Sequence, residues 1–449
     1  MRCPLGLTSR LNILRYSLRT RSNQSFLGWP EFEMARPGKK PKHAGRLSSA
    51  SISTIQNTSK PSSAAYVPLL QQRVQLGEAF DGARSKQHSK LTPVKTKTED
   101  EGIVSVPVGP KELTLEFTLP IGQSFRWKSI DPEHDRAFVG VLGNSVLCLR
   151  HNDETDNVEY KVLGGSRDVE GHLVEYFMLD KVYLSELDAL WASKDGLYES
   201  VSGYVSGARM LRQDPVETLF SFICSQNNHI SRIGGMVNKL AGMYGRRIDV
   251  DVQAEEIKKY KELYGKDSKG VDVDTTFYAF PSLKDLSENA DEEDLRAAGF
   301  GYRARYIEES AKQIVDELGG EDWLYGLRDV SYDKAVEELQ VLSGVGNKVA
   351  SCVALFSLDK PDAVPVDVHV WNIAVKHYTP QLRGKTNGPK YHPVVQDAFK
   401  AVFGDLCGWA HQALFVYDLS SVQKKLEQRG LLDDDVDDQS ESGWSSDED

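Results

Sequence analysis

The sequence predicts an α+β protein: an N-terminal antiparallel β-sheet domain packed on a helical domain, with disordered termini. Three observations predict it. Short β-branched and aromatic runs separated by Gly, Pro, Asn and Asp give way near residue 185 to helical spacing of apolar residues. No run reaches the roughly 18–20 apolar residues of a membrane helix, Val349–Leu358 being too short, so a packed core and no membrane partner are expected. Charge is segregated: residues 1–98 carry a net +13, residues 433–449 carry −9, and with −12 overall the body between them carries −16. The domains are read as a basic arm at 1–107, a sheet domain at 108–200, a helical domain at 201–428 and an acidic tail at 429–449.

In the arm, Arg2, Arg10, Arg15, Arg19 and Arg21 precede the first acid, Glu31, and LNILRYSLRTR mixes Leu, Ile and Tyr with Ser and Arg. That is the composition of a mitochondrial presequence, or of an ordinary basic arm. Met34 stands before ARPGKKPKHAGR, a basic cluster of nuclear-localisation type. Nuclear location is expected, with a mitochondrial form if synthesis starts at Met1. Residues 47–98 and the tail DDDVDDQSESGWSSDED hold little to bury and read as disordered.

In the body, LTLEFTLP, GQSFRWKSI, AFVGVLG, SVLCLR and VEYKVLGG read as strands and turns. LFSFICSQNNHISRIGGMVNKLAGMYG and EESAKQIVDEL read as helices, and the charged stretch 249–276 reads as a surface insertion. Five scattered cysteines, with no close pair, argue for a reducing compartment and against a disulfide scaffold or a metal-ligand set.

The chemistry concentrates in residues 332–371. A short amphipathic helix turns through Leu342-Ser343-Gly344-Val345-Gly346 into a second helix at Asn347. Two glycines beside a helix N-terminus expose backbone N–H groups that hold a phosphate without basic side chains, which suits an acidic body that grips DNA. Lys348 lies in the first turn of that helix, where the dipole disfavours a cation. In a cleft this promotes the neutral amine that attacks carbon. Cys352, at i+4, shares its face. Asp367, in AVPVDVHVW, is an acid among apolar neighbours, and such a carboxylate needs partners or a task.

The stretch LSGVGNKVASCVALFSLDKPDAVPVDVHVW resembles the helix-hairpin-helix DNA glycosylases, and among them 8-oxoguanine DNA glycosylase of the eukaryotic type. GQSFRW, LRQDPVETLFSFICSQNNHISRI, GFGYRARY and GWAHQALF follow in that family's order, so the resemblance spans about 108 to 425. It implies a monomeric bifunctional glycosylase and AP lyase acting on double-stranded DNA that contains 8-oxoguanine opposite cytosine, with no cofactor and no metal. Lys348 would attack the sugar C1′ and form a Schiff base, with Asp367 stabilising the cationic sugar. The carbonyl of Gly122 would meet the N7 hydrogen that 8-oxoguanine has and guanine lacks. Cys352 and Phe415 would stack on the flipped base. Tyr302 would fill the vacated space, Asn227, Arg232 and Arg303 would read the orphaned cytosine, and His369, Gly344 and Gly346 would approach phosphates.

One position departs from the family. Relatives place Gln where this chain has His411, and that Gln reads the base edge. On a helix His411 and Phe415 share a face and Gln412 is turned by about 100°, so His411 is expected in the pocket, oriented by Asp418, with activity weakening as it protonates below about pH 6.5. A local shift that brings Gln412 there is the alternative. Two competing readings remain: a monofunctional alkylpurine DNA glycosylase, disfavoured by Lys348 and GQSFRW, and a non-catalytic DNA-binding hairpin module, disfavoured by Lys348 and Asp367 together.

Overall fold

The computed structural model describes residues 102–432; the basic arm with its two methionines and the acidic tail lie outside them. Five strands, β1 (Ile103–Val106), β2 (Trp127–Ser129), β3 (Ala137–Leu142), β4 (Ser145–Asn152) and β5 (Asn157–Gly165), form an antiparallel sheet in the order β1-β5-β4-β3-β2. The sheet starts at Ile103, slightly ahead of the expected 108, and helices already begin at α1 (Glu170–Tyr176), before 185.

After α2 (Leu184–Ala192) and α3 (Gly196–Ser202) come α4 (Pro215–Cys224) and α5 (Ile230–Tyr244). Next are β6 (Arg247–Ile248), α6 (Glu255–Tyr264) and β7 (Phe277–Tyr278), then α7 (Leu283–Asn289), α8 (Glu292–Ala297), α9 (Arg303–Gln313) and α10 (Glu321–Gly326). The site-bearing elements follow: α11 (Tyr332–Leu339), α12 (Asn347–Ser357), α13 (Val368–Ile373), α14 (His392–Phe403), α15 (Cys407–Asp418) and α16 (Ser420–Gln428).

Strands β3 and β4 read as continuous apolar runs because both sheet faces are buried. Phe138, Leu147, Leu149 and Tyr160 pack with Leu173, Tyr176 and Phe177 on one face, while Val139, Val141, Val146 and Cys148 pack with Ile248, Ile257 and Phe277 on the other. This second layer corrects the reading of 249–276 as a surface insertion. Its helix α6 turns Ile257 fully inward, sets Tyr260 4.9 Å from Phe277 and pairs Glu256 with Lys161 at 3.0 Å. Burying Ile257 alone is worth roughly 1.5–3 kcal/mol. The many charges of this segment occupy the outer face of a helix whose inner face closes the sheet.

The helical body is built around α4. Asp214 caps it by accepting from the Glu217 N–H at 2.9 Å, Pro215 presets its first turn, and the whole run from Leu219 to Cys224 is buried. Against α4 lies α12, whose apolar residues Val349 to Leu355 fill the same core. These two buried helices form a floor, and the functional side chains stand at its rim.

Candidate active site

The hairpin turns from α11 into α12 through Gly344 and Gly346, which are glycine for different reasons. Gly344 has φ +76°, and a Cβ there would lie 2.3 Å from the Tyr306 ring. Gly346 has an ordinary φ of −89° and open space where its Cβ would be. The first steric demand is internal; the second is free for a phosphate approaching the unpaired N–H groups of the first turn.

Lys348 is half-buried in that turn, its Nζ 5.5 Å from the centre of the Phe222 ring on α4. Phe222 packs edge-on against Phe125 at 5.6 Å, which links the GQSFRW segment to the lysine. Cys352 lies one helical turn beyond Lys348 and is 3% exposed; burial pushes its thiol up to about 11, with Lys348 pulling it down and Asp367 pushing it up. Lys348 and Asp367 are therefore both within electrostatic reach of one small buried side chain. With so high a pKa, Cys352 is an inert neutral wall.

Asp367 begins α13. Its Oδ1 accepts from the Val370 N–H at 3.0 Å, so the apolar run AVPV delivers a carboxylate that serves as a helix cap. Two residues on, His369 donates from Nδ1 to Asp418 Oδ2 at 2.6 Å and meets Phe415 edge-on at 5.7 Å. The hydrogen bond to Asp418 raises the His369 pKa, burial opposing it. Asp418 is thus the partner of His369, correcting its expected role at His411.

His411 does share a face with Phe415, the two rings stacking at 6.3 Å and 28°. It is 4% exposed, and its Nδ1 donates to the Gly408 carbonyl at 3.2 Å. Burial pushes its pKa down to about 4, while Asp367 pulls it up. The lowered pKa favours the neutral imidazole and runs against the expected loss of activity below about pH 6.5. With Nδ1–H fixed on a carbonyl, Nε2 is a bare acceptor. Gln412 is also buried, at 1%, and its Nε2 has no hydrogen-bond partner in the structure.

Gly122 sits in a left-handed turn at φ +85°, its Cα side facing Ile230. The next residue locks that turn. Gln123 donates to the carbonyls of Thr118 and Arg209, both at 2.8 Å, accepts from the Leu211 N–H, and has its own carbonyl held by Gln213 at 2.6 Å. A carbonyl placed there would keep its orientation whatever base arrived.

The residues expected at the opposite strand form a second group. Tyr302 is 43% exposed and donates its hydroxyl to the Gln226 carbonyl at 3.1 Å. Asn227 is exposed, with φ +45°, and Arg232 is exposed on the first turn of α5. Arg303 differs from the other two: only 4% exposed, it donates to the Gln226 and Asn227 carbonyls, the latter at 3.0 Å, and stands 4.6 Å over the Tyr302 ring. It holds the turn that presents Asn227. Among the described residues no group of three or more His, Cys, Asp or Glu side chains is placed to hold a metal ion. Phe222 and the His369–Asp418 pair were not foreseen; the first is one of two phenylalanines in an apolar helix, and the second joins residues 49 positions apart.

The chain matches two family models in succession, the 8-oxoguanine DNA glycosylase N-terminal domain over residues 105–219 and the HhH-GPD base-excision DNA repair superfamily over 220–387. It is 38% identical over 319 residues to the N-glycosylase/DNA lyase OGG1 of Arabidopsis thaliana, covering 71% of this chain and 80% of that one. It is 33% identical over 338 residues to the N-glycosylase/DNA lyase of Saccharomyces cerevisiae, covering 69% and 84%. Among solved structures it is similar to Clostridium acetobutylicum 8-oxoguanine glycosylase/lyase in complex with double-stranded DNA, with a TM-score of 0.57 and 25% identity over 76% of this chain and 99% of that one. With both domains matched in order and two thirds of the chain aligned at more than 30% identity, the chain belongs to the eukaryotic-type 8-oxoguanine DNA glycosylase family and is a DNA-binding N-glycosylase and DNA lyase of base-excision repair.

Proposed function

We propose that the enzyme excises 8-oxoguanine paired with cytosine through a covalent Lys348 intermediate. The observation that supports this reading is that Lys348 and Asp367 both act electrostatically on buried Cys352, beside a hairpin with open space at Gly346. The Lys348 amine attacks C1′ with its nitrogen lone pair; the C1′–N9 bond breaks and its electrons leave with the base. Asp367 offsets the positive charge that develops on the sugar. Opening of the sugar ring gives the Schiff base, and loss of the 3′ phosphate by elimination cuts the strand.

The flipped base would stack between Cys352 and Phe415. The Gly122 carbonyl would accept from N7–H of 8-oxoguanine and oppose the N7 lone pair of guanine, a discrimination in which the wrong base leaves a buried acceptor unpaired. The bare Nε2 of His411 suits the donor-rich N1–H and N2–H₂ edge of the same base. Tyr302 would enter the stack, Asn227, Arg232 and Arg303 would address the cytosine, and His369, Gly344 and Gly346 would meet phosphates. We further propose a monomer that acts in the nucleus, and in mitochondria when translation starts at Met1.

Excision measured on duplexes with 8-oxoguanine opposite each of the four bases, and on guanine and alkylpurine duplexes, tests the substrate. Fastest release of 8-oxoguanine opposite cytosine is expected. Preferential release of an alkylpurine would reject the reading.

A further inference from the structure

Asp367 is held from two sides, and the second has no counterpart in the chemistry described so far. Its carbonyl is the first acceptor of α13, taking the Trp371 N–H at 2.9 Å, and it also accepts from the side-chain amide of Asn387 at 3.2 Å. Asn387 lies in an irregular loop between the short turns Pro380–Leu382 and Pro389–Tyr391, twenty residues from the aspartate. Its own amide is in turn fixed by His392, the first residue of α14, whose Nε2 is 3.0 Å from Asn387 Oδ1.

The direction of each bond is forced. A backbone carbonyl can only accept, so Asn387 must present its NH₂ to Asp367 and its oxygen to His392. The imidazole must then carry its proton on Nε2. We propose that Asn387, held by His392, is a positioning residue that fixes the reactive orientation of the Asp367 carboxylate.

The physical link is short. The Asp367 carbonyl orientation is the same variable as its ψ, which is −165° at the junction where an extended segment becomes a helix. Its Cα carries the carboxylate, and Oδ1 is already committed to the Val370 N–H. Fixing the carbonyl and Oδ1 together sets where Oδ2 points, and Oδ2 makes no hydrogen bond among the described residues. Helix α13 keeps α-helical bonding for six residues and then changes to a π-helical turn over Ala374–Tyr378, so regular bonding behind its first turn is short. Anchoring from α14, a twelve-residue helix packed on α15, adds rigidity there. Misplacing a reacting group by about 1 Å costs up to about a hundredfold in rate.

The inference rests on Asp367 acting as proposed above, and a double-mutant comparison tests it. Single-turnover excision of 8-oxoguanine opposite cytosine, and cleavage at a preformed abasic site, are measured for wild type, Asn387→Ala, Asp367→Asn and the double variant. Asn387→Ala should slow the reaction about ten- to a hundredfold with DNA affinity within about twofold. The double variant should be no slower than Asp367→Asn, because the lost positioning has nothing left to act on. His392→Leu should lose part of the rate and His392→Gln, which keeps an amide donor, should recover it. Additive losses in the double variant, or Asn387→Ala at the wild-type rate, would overturn the inference. If Asn387→Ala does not fold, the same reading applies to the two His392 variants. A wild-type chain inert on the lesion yet active on the abasic site would reject the substrate reading, and the abasic-site arm would still decide this one.

Discussion

Replacing each hairpin glycine by alanine separates folding from DNA binding. At Gly344 the left-handed φ of +76° costs an alanine about 1–2 kcal/mol. The new Cβ would fall 2.3, 2.5 and 2.9 Å from three atoms of the Tyr306 ring, roughly 1 Å inside normal contact. Displacing that ring adds the usual overpacking cost of about 1–3 kcal/mol. Against this, alanine restricts the unfolded chain and returns about 0.4–1 kcal/mol. The net destabilisation is about 1–5 kcal/mol, and for a folded body of roughly 330 residues the melting temperature should fall by about 2–6 °C. Tyr306 also packs edge-on against Tyr302 at 5.8 Å, so the ring that moves disturbs Tyr302 as well. At Gly346 the same methyl meets nothing within 4 Å and φ is already suitable, so the melting temperature should hold or rise slightly. There the methyl enters the open space where the proposed function seats a phosphate, and DNA affinity should drop several-fold. Thermal melting and binding to a duplex at fixed salt report the two effects. Equal melting losses for both variants, or undiminished affinity for Gly346→Ala, would refute the reasoning.

Three further outcomes follow from the geometry. Because burial pushes His411 to about 4, its neutral form and the stability linked to it are intact above about pH 6.5 and are lost only as pH falls towards 4; the pH–rate profile should show no inflection from it between pH 5.5 and 8. His411→Gln should retain excision, and an effect confined to Gln412→Ala would instead make Gln412 the base reader. His369 has a raised pKa, so its contribution is full below about pH 6.5 and fades as pH rises through the raised value; Asp418→Asn should therefore lower the melting temperature more at pH 6 than at pH 9. Arg303→Ala removes the donors to two turn carbonyls and should destabilise by about 1–3 kcal/mol while loosening the preference for cytosine, checked by melting and by excision opposite each base.

What the sequence made legible was local. The strand runs AFVGVLG, SVLCLR and VEYKVLGG, the hairpin glycines and the Lys348–Cys352 spacing are patterns within a few residues, and the structure reproduces each. LTLEFTLP, read as a strand, is instead a short 3-10 turn at Leu115–Phe117, with Leu115, Phe117 and Leu119 all buried, so its apolar alternation reflects core contact and not sheet pairing. The charged stretch 249–276 misled because a few inward contacts, Ile257 and Tyr260 above all, carry its attachment while thirteen charged residues dominate its appearance. Helical phase correctly put His411 beside Phe415, yet it could not say which carbonyl or carboxylate the imidazole would meet. Asp418 lies close enough in sequence to suggest His411 and is claimed instead by His369 from a different helix. The anchoring of Asp367 by Asn387 joins a helix start to an irregular loop, a pairing with no periodicity to reveal it.

Reduction with borohydride during turnover on a duplex containing 8-oxoguanine opposite cytosine tests the central claim most directly. Reduction converts a Schiff base into a stable amine, and peptide mapping then identifies the residue joined to DNA. The account predicts a covalent adduct at Lys348, absent from Lys348→Gln, which should still bind the lesion duplex. An adduct at another residue, or base release by Lys348→Gln at the wild-type rate, would contradict it.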